Sequence, residues 1–183
     1  MMRFEAHIEH TEDTLYKLSN VQYHTFCAGR IFLWMISAII CIVLAVYNGT
    51  NNLFFYIFMM LGCWMITTVN MPARRKADRI IDFCKGKFPS SKYQFFEEHI
   101  KIIYDKTEDV LEYTKIYMLL EDIDYFYVFI NRNAGYMLPK SSLRPQKNDE
   151  FKRFLEEKTS CTCKRPTTLM NMNIYNIFKK VKK

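Results

Sequence analysis

The chain has 183 residues, half of them hydrophobic and 16% aromatic, and a net charge of +7. That composition excludes a disordered polymer, and the length leaves room for one ordinary domain and an additional segment. The basic residues are not interleaved with a recognition module, so nucleic-acid binding is not expected.

Residues 1–29 open with Phe4, Ala6 and Ile8 alternating with Glu5, His7 and Glu9, the period of a strand. Thr11 followed by Glu12 and Asp13 predicts a helix start, because a hydroxyl caps and acidic side chains favour the positive end of the helix dipole. That helix can continue into the apolar run that begins at Ile31. His7 and His10 do not suit a shared metal ion, since strand positions three apart face opposite sides.

Residues 30–73 read as a transmembrane hairpin. No charge occurs from Ile31 to Ala73, whereas the flanks carry every charge of the chain. Ile31–Tyr47 would make roughly 26 Å of helix and Leu53–Met71 about 28 Å, each enough to cross a bilayer. Both runs are apolar all round, where a soluble helix would show a polar stripe. A signal peptide would not be followed by a second span. Between the runs, Asn48-Gly49-Thr50-Asn51-Asn52 is expected to be a tight uncharged turn; its match to a glycosylation sequon is better explained by turn chemistry. Trp34 and Tyr47 suit span ends, while Thr67, Thr68 and Asn70 would either bond between helices or lie at the interface. No ionisable group lies inside either run, which argues against a proton relay or ion path.

Residues 74–92 form a basic juxtamembrane helix in this reading, broken at Pro89-Ser90-Ser91. Arg30 before the first run and Arg74, Arg75, Lys76 and Arg79 after the second place both termini in the cytoplasm by the positive-inside rule. These five residues are candidates for contact with anionic headgroups. Six cysteines show no disulfide spacing, so free thiols are expected.

Residues 93–158 predict a β-rich domain. "KYQFFEEHIKIIY" fits two strands turning near Glu97–His99, and "DKTED" a turn. "VLEYTKIYMLL" fits one longer strand, "IDYFYVFI" an aromatic strand, and "YMLPK" a short strand closed by Pro139. Asn148 or Asp149 would cap a helix running to Lys158, with Phe151, Phe154 and Leu155 on one face. The N-terminal strand could join the same antiparallel sheet. In the tail, residues 159–183, Lys179, Lys180, Lys182 and Lys183 end a segment with apolar residues at helical spacing, a candidate membrane-surface helix or a frayed terminus.

The stretches "YQFFEEHI", "YTKIYMLLEDIDYFYVFIN", "GYMLPKSSL" and "DEFKRFLEEK" resemble the YcxB-like family of bacterial membrane proteins. The resemblance implies an α+β membrane protein: a two-span hairpin with a cytoplasmic, pleckstrin-homology-like antiparallel β domain closed by a C-terminal helix. It implies no enzyme activity, cofactor or catalytic residue, and the tail departs from the family plan.

Several constellations have a bland and a sharp reading. Glu121, Asp122 and Asp124 could attract a divalent cation, but they lack a calcium-loop spacing, and a solvated strand end is the simpler account. Cys161-Thr162-Cys163 lacks the second ligand pair that structural zinc wants. Lys140 after Pro139 ends a strand; in a functional version it would meet an anionic headgroup together with Arg132 and Arg144. The function expected is therefore a non-enzymatic, membrane-anchored module that presents its β domain to protein or lipid, toxin immunity being one such role. The alternative is an accessory subunit of a transporter or sensor, with oligomerisation open; a membrane-surface enzyme ranks last. The expected partners are membrane lipids and a protein.

Overall fold

The computed structural model describes residues 2–104 and 107–166. The N-terminal alternation becomes β1 (Met2–Glu9), with Phe4, Ala6 and Ile8 buried. Helix α1 (Glu12–Phe26) starts where the acidic pair predicts. Thr11 and Thr14 close a reciprocal cap, the Thr11 N–H donating to Thr14 Oγ1 at 2.8 Å and the Thr14 N–H to Thr11 Oγ1 at 3.3 Å. The helix does not run unbroken onward: it stops at Phe26, and α2 (Ala28–Asn48) begins after Cys27.

The remaining elements are α3 (Leu53–Thr68), α4 (Met71–Cys84), β2 (Ser90–Phe96), β3 (His99–Tyr104), β4 (Thr107–Glu112), β5 (Met118–Glu121), β6 (Tyr125–Phe129), β7 (Gly135–Pro139) and α5 (Asn148–Thr159). The molecule is thus α+β with antiparallel sheets. It divides into two compact units, Met1–Leu18 with Arg79–Pro166, and one built on Ser19–Asp78.

In the first unit the strands form a four-stranded sheet, β1-β2-β3-β4, and a three-stranded sheet, β5-β6-β7. The N-terminal strand does join across the intervening helices: β1 pairs antiparallel with β2, Glu5 opposite Gln94 and Ile8 opposite Ser91. The expected long strand "VLEYTKIYMLL" is instead split between the two sheets. Tyr113 is buried, packs its ring edge-on to Phe154, and donates its hydroxyl to the Phe96 carbonyl at 2.7 Å. That anchor bends the chain through a 3-10 turn at Tyr113–Lys115 and delivers it to β5. Similarly, Thr107–Asp109 of the expected turn already belong to β4, pairing with Tyr104, Ile103 and Ile102.

Helix α5 covers the core. Phe151 is fully buried, with ring centroids 5.2 Å from Phe4, 4.8 Å from Phe95 and 5.3 Å from Phe126, so one side chain joins the helix to both sheets. The expected cap at Asn148 or Asp149 is corrected: Lys147 holds the N-cap position and gives no side-chain cap, and Asn148 already lies in the helix. The outer edge of β1 is closed by the Arg144 backbone, which exchanges hydrogen bonds of 2.8 and 2.7 Å with Glu5. The outer edge of β5 is closed by Lys164, whose N–H reaches Leu119 and whose carbonyl accepts from Glu121.

In the second unit α2 and α3 pack as an antiparallel pair. Ile31, Ala38 and Ala45, seven residues apart, form the buried line of α2. Gly62 of α3 meets it so closely that a Cβ there would lie 2.8 Å from Ile42 Cγ1 and 3.1 Å from the Ala38 carbonyl oxygen. The turn between the helices is as expected, with Gly49 at φ 72 and Asn52 capping α3 through the Phe54 N–H. The second apolar run, however, is not one straight helix: α3 and α4 meet at 44°. Pro72 has no N–H to offer the carbonyl four residues earlier, Thr68, where α3 ends.

Candidate functional site

The first set of candidates falls on α2, on α4 and in the tail. Arg30 lies in the first turn of α2, and Arg74 and Arg75 in the first turn of α4; all three are exposed, and Arg79 follows one turn later, also exposed. Ala73 and Ala77 bury the opposite face of α4, which turns these arginines outward. Lys76 is half-buried and donates to Gln22 Oε1. His24 Nε2 and Asn70 Oδ1 are 2.9 Å apart. Asn70 therefore bonds between helices, whereas Thr67 and Thr68 donate back to the Trp64 carbonyl of their own helix. Trp34 and Trp64 stand 6.2 Å apart, and the Trp34 indole N–H donates to the Met65 carbonyl at 2.8 Å. The four tail lysines, Lys179, Lys180, Lys182 and Lys183, lie outside the described residues.

The second set, Arg132, Lys140 and Arg144, is not one patch. Arg132 lies in the β6–β7 hairpin turn, while Lys140 follows the far end of β7, where its N–H meets the Asp124 carbonyl. Lys140 sits over the Phe126 ring at 4.8 Å and donates to Glu121 Oε1 at 2.7 Å, its side chain 16% exposed. Lys140 is thus held in a partly buried ion pair. Arg144 is exposed, and its backbone serves the β1 edge.

Around Lys140 the acidic turn is also occupied. Glu121 Oε2 accepts from Lys152 at 2.8 Å. Burial opposes the Glu121 charge, but hydrogen bonds from Lys140 and Lys152 outweigh it and hold the carboxyl below its ordinary range. Asp122 Oδ1 accepts the N–H groups of Asp124 and Tyr125 at 2.9 and 2.6 Å, and its Oδ2 accepts the Tyr127 hydroxyl at 2.7 Å. Lys17 lies 3.3 Å from Asp122 and 3.2 Å from Asp124, and the two aspartates raise its pKa against the opposing effect of burial. Each carboxylate that could have served a cation is engaged in an Asx-type turn or an ion pair. Cys163 is half-buried beside this network; burial first, and then the Glu121 charge, push its thiol up to about 11, so it is protonated at neutral pH. Cys161 lies 3.8 Å from the carbonyls of Ile116 and Tyr117. Among the described residues no group of three or more His, Cys, Asp or Glu could hold a metal ion. Lys17 and Lys152 carried no local sequence signal, since their partners are more than 30 positions away or lie on another element.

Residues 95–155 match the family model described as YcxB-like protein. This segment is a YcxB-like domain. It runs from the end of β2 to the middle of α5, so it contains the Glu121–Asp124 turn, Arg132, Lys140 and Arg144. β1 and the helices α1 to α4 lie outside it. No curated protein and no solved structure matches the chain.

Proposed function

We propose that the protein is a non-enzymatic, membrane-anchored module. In this reading α2 and α3 cross the bilayer as a hairpin, and both termini are cytoplasmic. The YcxB-like domain, with its flanking β1, is a pleckstrin-homology-like fold that offers a surface to a protein partner. What carries the reading is the exposure of α2. It has 21 residues, and its apolar window is only 17% buried. Leu33, Ile39, Val43 and Val46 are more than half exposed, and Phe54, Tyr56 and Met60 of α3 are as well. A soluble core helix hides such residues, and water does not tolerate a continuous patch of that kind. A cleaved leader would have no reason to pack its Ala38 against a Gly62 of the following helix. The outward Arg30, Arg74, Arg75 and Arg79 then meet anionic headgroups. Two sheets of four and three strands closed by one C-terminal helix support the pleckstrin-homology reading.

Sodium carbonate extraction and fluorescent fusions at Lys183 test this. The protein is expected in the carbonate-resistant pellet, with a C-terminal fusion fluorescent in the cytosol. Release into the supernatant, or a C-terminus reached by an external protease, overturns it. An accessory-subunit role is supported by the same outward faces of α2 and α3, which suit neighbouring helices as well as lipid; a stable larger assembly in mild detergent would favour it. Toxin immunity, a narrower form of the first reading, predicts rescue of cells that express a membrane-active toxin.

A further inference from the structure

Of the four outer edges of the two sheets, those of β4 and β7 have no backbone partner outside their own sheet among the described residues. The outer edge of β1 is taken by Arg144 and that of β5 by Lys164. For β4, the described residues supply no backbone partner beyond β3. An exposed strand edge is a template for another strand, and native sheets commonly blunt it with charged side chains, proline or a bulge, so the acidic residues of β4 bar a like-charged strand. β4, Thr-Glu-Asp-Val-Leu-Glu, has no proline or lysine, and its register with β3 is unbroken.

Its edge is chemically biased. The Val110 N–H is accepted by the Asp109 carboxylate at 3.1 Å, so it is turned away from β3. By the alternation of an antiparallel pair, Glu108 and Glu112 then turn the same way. Their side chains and that of Asp109 are exposed, and Val110, between them, is 57% exposed. Lys101 meets Glu108 at 2.7 Å and Lys115 meets Glu112 at 3.8 Å, while no lysine or arginine pairs with Asp109 among the described residues. On the other face Leu111 lines a small apolar hollow with Tyr93, Ile100, Ile102, Val128 and Tyr136. It falls short of the several hundred cubic ångströms usual for a small-molecule site. A side chain placed opposite Leu111 would share its face of the sheet.

We infer that β4 is a docking edge for an extended segment of a partner protein that alternates apolar and basic residues. Main-chain hydrogen bonds to Glu108, Val110 and Glu112 hold the segment, the Val110 N–H exchanging its bond to the Asp109 carboxylate for one to the segment. Its lysines or arginines meet Glu108 and Glu112, which share a face with Val110, and an aliphatic side chain sits beside Leu111 on the other face. This is the strand-addition mode of peptide recognition. It rests on the proposal that the β domain presents a surface to protein, and it names that surface. A second copy of the chain is disfavoured, because two β4 edges would oppose carboxylates.

The test uses the full chain in detergent micelles and two ten-residue probes, one alternating valine and lysine, the other valine and glutamate. Amide exchange is followed residue by residue. The basic probe is expected to slow exchange at Glu108, Val110 and Glu112, and the acidic probe to do nothing. V110P removes an N–H that faces away from β3 and is expected to abolish protection while leaving the melting temperature close to the parent. Should V110P unfold the domain, the triple variant E108Q/D109N/E112Q serves instead. It is expected to bind the basic probe about tenfold more weakly, a loss near 1.4 kcal/mol. Protection elsewhere, equal effects of both probes, or unchanged binding by the triple variant overturns the inference. Membrane extraction is scored separately, so a failed anchor and a failed edge give different results.

Discussion

Glu121 shows how a single side chain is committed by its neighbours. Its two oxygens are taken by Lys140 and Lys152, at 2.7 and 2.8 Å, each on a different segment. Because its folded pKa lies below the unfolded value, the carboxylate stabilises the fold above the ordinary carboxyl pKa, and that contribution is lost as pH falls through the folded value. Denaturant titrations between pH 6 and pH 3 should therefore show stability falling, with a shallower fall in E121Q. K140M is expected to cost about 1–2 kcal/mol, since it leaves a half-buried carboxylate with one partner fewer. A headgroup-binding lysine would behave otherwise, leaving unfolding unchanged and weakening only attachment to anionic vesicles. The Tyr127 phenol belongs to the same cluster. Burial and the Asp122 hydrogen bond both raise its pKa, so it remains neutral and a donor.

Among the elements, the α2–α3 pair depends on small residues. Ala38 and Gly62 let the two backbones approach. G62V should force the helices apart, because even a single added carbon would lie 2.8 Å from Ile42. A loss of about 1–3 kcal/mol is expected, read as earlier unfolding of the hairpin in detergent. G62A should cost less. The break between α3 and α4 is legible at Pro72, but the partner that fixes Asn70, His24, is 46 positions away and gave no local sign. Likewise the strand pattern of "VLEYTKIYMLL" is real at both ends. Only the buried anchoring of Tyr113 reveals that those ends serve different sheets.

For the molecule as a whole, β1 is the telling element. It pairs with β2 across more than 80 positions of chain, and Phe4 touches Phe151 and Phe154 of the closing helix. The YcxB-like segment, residues 95–155, accordingly lacks one strand of its own sheet and most of another. A fragment of residues 90–166 should therefore expose the β2 edge and part of the core. It is expected to aggregate or to unfold without a cooperative transition, whereas the same fragment joined to residues 1–10 by a flexible linker should melt cooperatively in calorimetry. Equal cooperativity of the two would mean that β1 is dispensable.

The amino-acid sequence by itself determined the apolar double run, its turn at Gly49, the basic flanks, most strands and the apolar face of α5. All of these are carried by residues within one or two turns of each other, where periodicity, caps and turn chemistry act. Tertiary structure alone decided which strands share a sheet and that Lys140 answers Glu121. It also decided that the acidic turn is spent on internal bonds and that β4 has no backbone partner beyond β3 among the described residues. Those outcomes depend on groups far apart in the chain, and local pattern carries no information about which distant groups close packing brings within bonding distance.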